Sequence, residues 1–508
     1  MALNLDLESY LTPIKLATAA LVVSAIALTR RRDPYEDIPT VGSSNPIWSY
    51  IDGFRFLSAA PHQKEGIFRI PTPIGWIVVL AGTKHIDELR TKRGEELSAS
   101  AAMRQVTSGD YTFGAEIFDK PYNVPLVRTK LTRYIGAFFD NTRDEVMLTC
   151  DELLPSETDS NWKAVSTHSV CQLITGRAAN RSYITDPSIY RDPGYLRVMM
   201  SFAKSAIQGG TILRFFPDFV KPIIAPIVTN VPASINTATR YLSKTIESRM
   251  KNYEKYGSDY PEKEDDMLSW FIDLVDQEDR NLRHLIMCIL HVNAAAINTT
   301  SMSMYAALNA LASHPEYIEP LREEIQSVVA DYGWSKVSMG RMQKLDSFLM
   351  EAMRFCPPTV LTSPRLAMVD YVFSNGIRLP KDALVAVPTI ARHMDDEVFP
   401  NAKTFDGFRF CKPQSATDDR GDSVNRAGTS ASSKLTTLSS DYLLFGLGEH
   451  ACPGRFFAAN LIKLTISHML MTYDIKLDPT CPPSGRYVTA DFQPSPKDVL
   501  LFRKKETV

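Results

Sequence analysis

The chain has little of what marks several common classes of protein. It carries 56 Lys and Arg against 58 Asp and Glu, so the net charge of -2 gives no sign of a nucleic-acid partner. Its 7 cysteines show no close CxxC spacing, which argues against a zinc site or a disulfide framework and indicates a reducing compartment. A Gly-rich nucleotide fingerprint is missing, because Gly446-x-Gly448 lacks the remaining glycine. We therefore expect neither NADPH nor flavin to bind this chain itself.

A charge-poor run near the N-terminus is the first positive feature. Lys15 is the only charge between Glu8 and Arg30, and arginines occupy positions 30–32. The run approaches the ~20 residues that span a bilayer, and the arginines should stay on the cytosolic side. We predict a membrane anchor over residues 1–29. A cleaved signal peptide and a peripheral helix are the alternatives.

The remaining chain has the pattern of a mainly helical protein. Residues 30–46 form a basic and Pro-rich linker, and residues 47–508 form the main domain. Within that domain, residues 412–440 are rich in Ser, Thr, Asp and Gly and are predicted to be an exposed insertion. Residues 129–351 have few strand signals. The predicted fold class is mainly α with small β-sheets, preceded by an N-terminal transmembrane helix.

Strand signals occur near both ends of the main domain. Residues 66–70 and 76–80 are strand-like runs. Residues 369–373 and 383–387 flank an Asn-Gly pair at 375–376, which is typical of a hairpin turn. We predict small sheets at these places.

One cysteine lies in a loop whose neighbours suit metal ligation. Cys452 stands between Gly448 and Gly454, with Phe445 seven positions upstream and a helix-like segment from Arg455. A thiolate there can accept backbone N–H hydrogen bonds and feel the positive end of a helix, both of which lower its pKa. The glycines let the backbone turn tightly and approach a flat ligand. These properties suit the axial thiolate of a haem iron.

The pattern F-x-x-G-x-[H/R]-x-C-x-G over residues 445–454 resembles the signature of the cytochrome P-450 family. The resemblance implies a cytochrome P-450 fold and a haem b cofactor. It implies that Cys452 is the axial ligand of the haem iron. It also places Phe445 and Gly448 in contact with the cofactor.

The same resemblance implies cationic contacts to the haem carboxylates. Arg365 and His450 occupy positions where the family commonly has such contacts, although each is alternatively an ordinary surface charge. The family's Trp-x-x-x-Arg motif is absent. Arg128 or Arg133 is the candidate to replace it, and the sequence does not choose between them.

A second motif, Glu351-x-x-Arg354, places an acid and a base about one helical turn apart. Such a pair is usually solvated and contributes little, but here its flanks are apolar, which favours a buried helix. A buried pair needs further hydrogen bonds, which Arg409 could donate. The three residues resemble the family's Glu-x-x-Arg plus downstream Arg triad, which implies a structural clamp for the segment carrying Cys452. The family's Pro-Glu-Arg-Phe is altered here to Gly-Phe-Arg-Phe, so only the arginine is carried over.

A third motif lies inside a long helix-like run, where residues 294–300 read Ala-Ala-Ala-Ile-Asn-Thr-Thr. It resembles the family's oxygen-activating motif, which implies that Thr299 helps to deliver the protons that O–O cleavage needs. The alternative is a structural threonine bonded to the helix carbonyl four residues back. Asn298 replaces the family's acidic residue, and an amide can orient water but cannot relay a proton by ionising. Thr299 and Asn298 are the predicted catalytic residues.

The resemblance covers nearly the whole chain and is greatest to fungal microsomal members near the ent-kaurene oxidase group. It implies a monooxygenase that takes O2, and electrons from NADPH through a separate cytochrome P-450 reductase, to oxidise a hydrophobic small molecule. A terpenoid or another fungal secondary metabolite is the expected substrate class. The expected location is the endoplasmic reticulum membrane, in contact with lipid, with the catalytic domain in the cytosol.

Candidate substrate-facing residues have a mainly apolar character, which suggests a bulky hydrophobic substrate. They are Phe113, Ala295, Val360, Leu361, Thr362 and Phe492. Other functions stay open. Asn298 mildly favours a haem-thiolate isomerase or a peroxide-using enzyme of the same fold. A non-catalytic haem-binding protein and a helical membrane protein with a chance motif are the remaining alternatives.

Overall fold

The computed structural model of the chain describes residues 35, 37–41, 66–72, 75–155, 161–411, 434–488 and 490–505. The predicted anchor at 1–29, most of the predicted linker and residues 412–433 of the predicted insertion lie outside the described residues. The described part is mainly helical with small sheets, so this part of the predicted fold class is confirmed.

Helices make up most of the described chain. In chain order they are α1 (Thr83–Thr91), α2 (Ala99–Val106), α3 (Gly109–Thr112), α4 (Ala115–Asp119), α5 (Asn123–Leu126), α6 (Thr132–Tyr134), α7 (Phe139–Leu153), α8 (Thr167–Tyr183), α9 (Pro187–Tyr190), α10 (Pro193–Leu213), α11 (Lys221–Val228), α12 (Val231–Tyr256), α13 (Met267–Leu274), α14 (Leu282–Ser313), α15 (Ile318–Tyr332), α16 (Lys336–Met339), α17 (Gln343–Phe355), α18 (Thr389–His393) and α19 (Arg455–Thr472). A π-helical turn covers Val127–Leu131, and 3-10 turns cover Pro315–Tyr317 and Gly448–His450.

The strands form small sheets. In chain order they are β1 (Ile67–Thr72), β2 (Gly75–Leu80), β3 (Leu97–Ser98), β4 (Lys163–Ser166), β5 (Leu361–Ala367), β6 (Tyr371–Val372), β7 (Arg378–Leu379), β8 (Leu384–Pro388), β9 (Tyr473–Leu477), β10 (Arg486–Val488), β11 (Asp491–Gln493) and β12 (Val499–Lys504). One sheet has the order β1-β2-β8-β5-β3 and another the order β4-β12-β9, while β6 pairs with β7 and β10 with β11.

The strand predictions hold near the N-terminal end and fail in part farther on. The two predicted strands near the N-terminal end are present as β1 and β2, which pair antiparallel with Ile67 opposite Leu80. The Asn-Gly turn is also present, with Gly376 at φ 85°. Its second strand is β7, however, and the predicted run at 383–387 becomes β8 instead. β8 is buried along its whole length, so its apolar side chains are better accommodated between β2 and β5 than in a two-stranded hairpin.

α14 is the central helix of the described part. It packs against α8, α10, α12, α17 and α19. Asn281 caps its start, since the Asn281 side chain accepts a hydrogen bond from the backbone N–H of His284. Within the described residues, α14 alone is long and apolar enough to cross a membrane, but 67% of its most apolar window is buried inside the protein. Its apolar character is therefore that of a core helix, and it is not the predicted anchor.

Candidate active site

The loop before α19 has a backbone that needs its glycines. Gly446 and Gly448 have φ angles of 73° and 58°, a region that L side chains rarely adopt. At Gly448 a Cβ atom would also lie 2.4 Å from the backbone oxygen of Arg90. The backbone N–H of Cys452 donates to the Phe445 oxygen at 2.8 Å. The loop thereby folds back on itself and presents Cys452 immediately before α19.

Cys452 is half-buried as a residue, whereas Cys150, Cys171 and Cys288 are buried. Burial raises the pKa of Cys452, while the backbone N–H groups of Gly454 and Arg455 and the positive charge of Arg455 act in the lowering direction. Without a metal the net shift is upward, contrary to the lowered pKa expected from the sequence. A cation bound at sulfur would reverse this balance, since a coordinating thiol is deprotonated.

Positive and potentially positive groups gather beside the loop. Arg365 is 2% exposed, and its Nε is buried without a hydrogen-bond partner among the described residues. Burial lowers its pKa to about 10. Burial and then the charge of Arg365 lower the pKa of His450, whose Nε2 also has no partner in the described part of the chain. The Arg128 guanidinium donates to the backbone oxygen of Glu449 at 2.9 Å. Of the two candidate arginines, Arg128 is therefore the one that lies next to His450.

A buried cation such as Arg365 is costly unless an anion neutralises it. The carboxylates of haem b would do so. The three positive or potentially positive groups and the thiol of Cys452 therefore form a donor set that fits this cofactor.

The structure brings Glu351, Arg354 and Arg409 together. Glu351 and Arg354 lie on α17, and Arg409 lies on the segment that follows α18. Arg354 donates to both Glu351 oxygens at 2.8 Å, and neither side chain is exposed. Arg409 donates to the same two oxygens at 3.2 Å and to the backbone oxygens of Pro400 and Thr404. The carboxylate is thus shared by two guanidinium groups inside the protein.

A histidine that the sequence analysis did not single out connects this cluster to the cysteine loop. The backbone oxygen of His393 accepts a hydrogen bond from Arg354. Its ring Nε2 accepts one from the backbone N–H of Leu443 at 3.0 Å. Burial lowers the pKa of His393 to about 3, with Arg354 as a second cause, so the ring is neutral and Nε2 can accept. No spacing rule marks His393, because its partner lies 50 residues away.

On α14, Thr299 and Ala295 are exposed although most of the helix is buried. The Thr299 hydroxyl donates to the Ala295 oxygen at 2.8 Å, the bond that a structural threonine would make. Asn298 accepts a hydrogen bond from Gln172 of α8 at 3.3 Å. Thr299 therefore lies on an exposed edge of α14, and the Asn298 amide has its partner on a neighbouring helix.

The predicted substrate-facing residues fall into two groups. Phe113 packs against His291 of α14, with ring centroids 5.2 Å apart, and so lies near the helix that carries Ala295. The other group forms where β11 meets the segment before β5: Val360 donates its backbone N–H to the Ala490 oxygen at 2.8 Å, and Phe492 donates to Pro358 at 2.9 Å.

Within this second group, exposure differs between residues. Val360 and Phe492 are buried, at 2% and 7% exposed. Leu361 and Thr362 on β5 are half-buried, and the Thr362 hydroxyl accepts a hydrogen bond from Thr389 at 3.0 Å.

Comparison with known proteins gives a consistent result. The family profile described as "Cytochrome P450" matches residues 68–498. "Cytochrome P450 monooxygenase 151" of Postia placenta is 32% identical, with 98% of this chain and 99% of that protein covered. "Ent-kaurene oxidase P450-4" of Gibberella fujikuroi is 28% identical, with 87% and 85% covered. The solved structure titled "Retinoic acid bound cyanobacterial CYP120A1" has a TM-score of 0.69 at 17% identity, with 92% and 99% covered, and shares the fold.

Proposed function

This chain belongs to the cytochrome P450 family, and from that premise we propose that it inserts one oxygen atom of O2 into a bulky hydrophobic small molecule, a terpenoid or another fungal secondary metabolite. It is an enzyme of the P450 monooxygenase type, and such enzymes use haem b, O2, a redox partner and a small-molecule substrate. The observation that supports a bulky hydrophobic substrate is the exposed edge of α14 at Ala295 and Thr299, near an aromatic cluster around Phe113. The terpenoid class follows from the similarity to fungal relatives such as the ent-kaurene oxidase.

Two sets of residues in this chain would hold haem b. Cys452 would offer its sulfur to the haem iron, and Phe445 and Gly448 lie in the same loop. Arg128, Arg365 and His450 offer donors to the carboxylates. Bound haem supplies the activation of O2. Filling the site would also neutralise the buried charge of Arg365.

The clamp of Glu351, Arg354 and Arg409 keeps the cysteine loop in place. Arg354 reaches the loop through His393, whose ring accepts the Leu443 N–H. The loop therefore cannot shift without breaking the hydrogen bond from the Leu443 N–H to the His393 ring. His393 is in turn held by Arg354, whose partner Glu351 is fully buried and shared with Arg409. The sulfur is thereby held at one position.

Thr299 and Asn298 on α14 control the delivery of protons to the site. The Thr299 hydroxyl carries a proton at Oγ1 and can exchange its bond to the Ala295 oxygen for one to a water molecule. Asn298 orients water through its amide but does not ionise. The proton therefore arrives through water held by these side chains rather than from a carboxyl group at position 298.

Electrons come from NADPH through a separate cytochrome P450 reductase at the endoplasmic reticulum membrane. The missing nucleotide fingerprint supports an external electron source. The charge-poor run at 1–29, followed by arginines, supports an anchor with the catalytic part in the cytosol.

Turnover with isotope-labelled O2 tests the proposal. The protein is coexpressed with a reductase and supplied with a panel of diterpene and sesquiterpene hydrocarbons. One labelled oxygen atom in the product, with dependence on NADPH and reductase, is expected. A product that carries no label and forms without O2 indicates an isomerase instead, and turnover with peroxide alone indicates a peroxide-using enzyme.

A further inference from the structure

α14 carries an imidazole, that of His291, with one buried nitrogen that has no hydrogen-bond partner among the described residues. His291 lies one turn before Ala295 and two turns before Thr299, so the three residues share one face of the helix. His291 is half-buried, and its Nδ1 is buried without a hydrogen-bond partner among the described residues. Burial lowers the pKa of His291 to about 4, and no charge in the described part of the chain opposes that effect. The ring is therefore neutral at physiological pH.

The surroundings of His291 are aromatic. Its ring centroid lies 5.2 Å from that of Phe113 and 6.4 Å from that of Phe118. Phe202 packs edge-on against Phe113 at 5.6 Å. A phenylalanine would fill such a place without leaving a polar atom to be satisfied, whereas the imidazole leaves its buried Nδ1 without a partner in the described part of the chain. Packing alone therefore does not account for Nδ1.

We infer that His291 binds a neutral hydrogen-bonding oxygen, a hydroxyl or a carbonyl, on an otherwise apolar substrate. The inference rests on the proposed function and deepens it. Eight residues of α-helix separate His291 from Thr299, which corresponds to about 12 Å along the helix axis. The substrate oxygen should thus lie about two helical turns from the part of the substrate near Thr299.

A neutral imidazole selects among oxygen groups. It offers one donor and one acceptor, which a hydroxyl group can satisfy together. A carboxylate can use only the donor and would bring an uncompensated charge into an apolar site. We therefore expect the site beside His291 to bind an alcohol more tightly than the corresponding hydrocarbon, and more tightly than the corresponding acid.

Titration of the Soret spectrum tests this preference on the haem-loaded protein. The probes are the diterpene hydrocarbon ent-kaurene, the alcohol ent-kaurenol and the corresponding acid. We expect wild type to bind the alcohol about tenfold more tightly than the hydrocarbon, the size of one hydrogen bond in a dry pocket. His291→Phe keeps an aromatic ring and should bind both alike, while His291→Gln should retain part of the preference.

His284→Phe is the matched control, because His284 lies on the same helix, is buried and packs edge-on against Tyr122 at 5.8 Å. It should keep the full preference. If wild type shows no preference for the alcohol, including no response to any probe, or if His291→Phe keeps the preference, the inference is wrong. Failure of the proposed function is separate, since it shows as absence of monooxygenation in the labelled-O2 experiment.

Discussion

Glu351→Gln should destabilise the protein strongly, because one carboxylate serves two guanidinium groups in the interior. Arg354 bonds it at 2.8 Å and Arg409 at 3.2 Å, and the side chains of Glu351 and Arg354 have no exposed surface. Glutamine preserves the shape but leaves two positive charges without an anion. Removal of one partner of a buried pair costs about 3–5 kcal/mol. The carboxylate also accepts a hydrogen bond from the backbone N–H of Asp406 at 2.9 Å, which the amide oxygen of glutamine can keep.

Thermal unfolding of the haem-loaded protein, followed by circular dichroism, measures this cost. A loss of 3–5 kcal/mol corresponds to a fall in Tm of roughly 6–10 °C at about 2 °C per kcal/mol, the lower end of the range for large domains. Asp370→Asn is the control, because its ion pair with Arg378 is 51% and 67% exposed. That change should cost less than about 1 kcal/mol.

Arg409→Gln provides a graded second variant. Arg409 is 13% exposed and its loss leaves the Glu351–Arg354 pair intact, so the fall in Tm should lie between those of the other two variants. A Glu351→Gln protein no less stable than Asp370→Asn would refute the reasoning about the clamp. If Glu351→Gln does not accumulate, an Arg409→Gln protein as stable as Asp370→Asn would refute it equally.

Further predictions concern the cofactor, the proton route and acid stability. Arg365→Leu should bind haem more weakly than Arg365→Lys, measured by haem transfer to apomyoglobin; equal transfer rates would remove Arg365 from the haem site. Thr299→Ala should consume more O2 per product formed than wild type, and unchanged coupling would leave Thr299 structural. The pKa of His393 is about 3 in the folded protein, below the ~6.5 of an unfolded histidine. The neutral buried ring therefore makes its full contribution to folding stability above about pH 6.5, and this contribution is lost as the pH falls toward 3. Between pH 7 and pH 5, the free energy of unfolding measured with urea should therefore fall by about 2 kcal/mol less in His393→Gln than in wild type. An equal fall in both proteins would contradict a neutral buried ring.

The sequence was informative where the chemistry is local. Cys452, Gly448 and Phe445 lie within one short loop, and the structure shows the tight turn that the glycines indicate. Glu351 and Arg354 lie one turn apart, and their apolar flanks correctly indicated burial. Helical content and the strands β1 and β2 follow from patterns of a few residues.

Contacts between distant segments were not predictable in this way. Arg128 meets Glu449 across 321 positions, and the sequence could not choose between Arg128 and Arg133. The role of His393 depends on Leu443, to which no motif connects it. The second strand of the Asn-Gly hairpin was assigned wrongly because competition for the centre of the larger sheet is decided by tertiary packing.

The reduced carbon monoxide difference spectrum tests the central claim most directly, namely that Cys452 is the thiolate ligand of haem. Wild type should show the thiolate-type Soret band, Cys452→Ser should lack it while still containing haem, and Cys411→Ser, which alters another half-buried cysteine, should keep it. Absence of the band from native haem-loaded wild type, or its persistence in Cys452→Ser, would contradict the account.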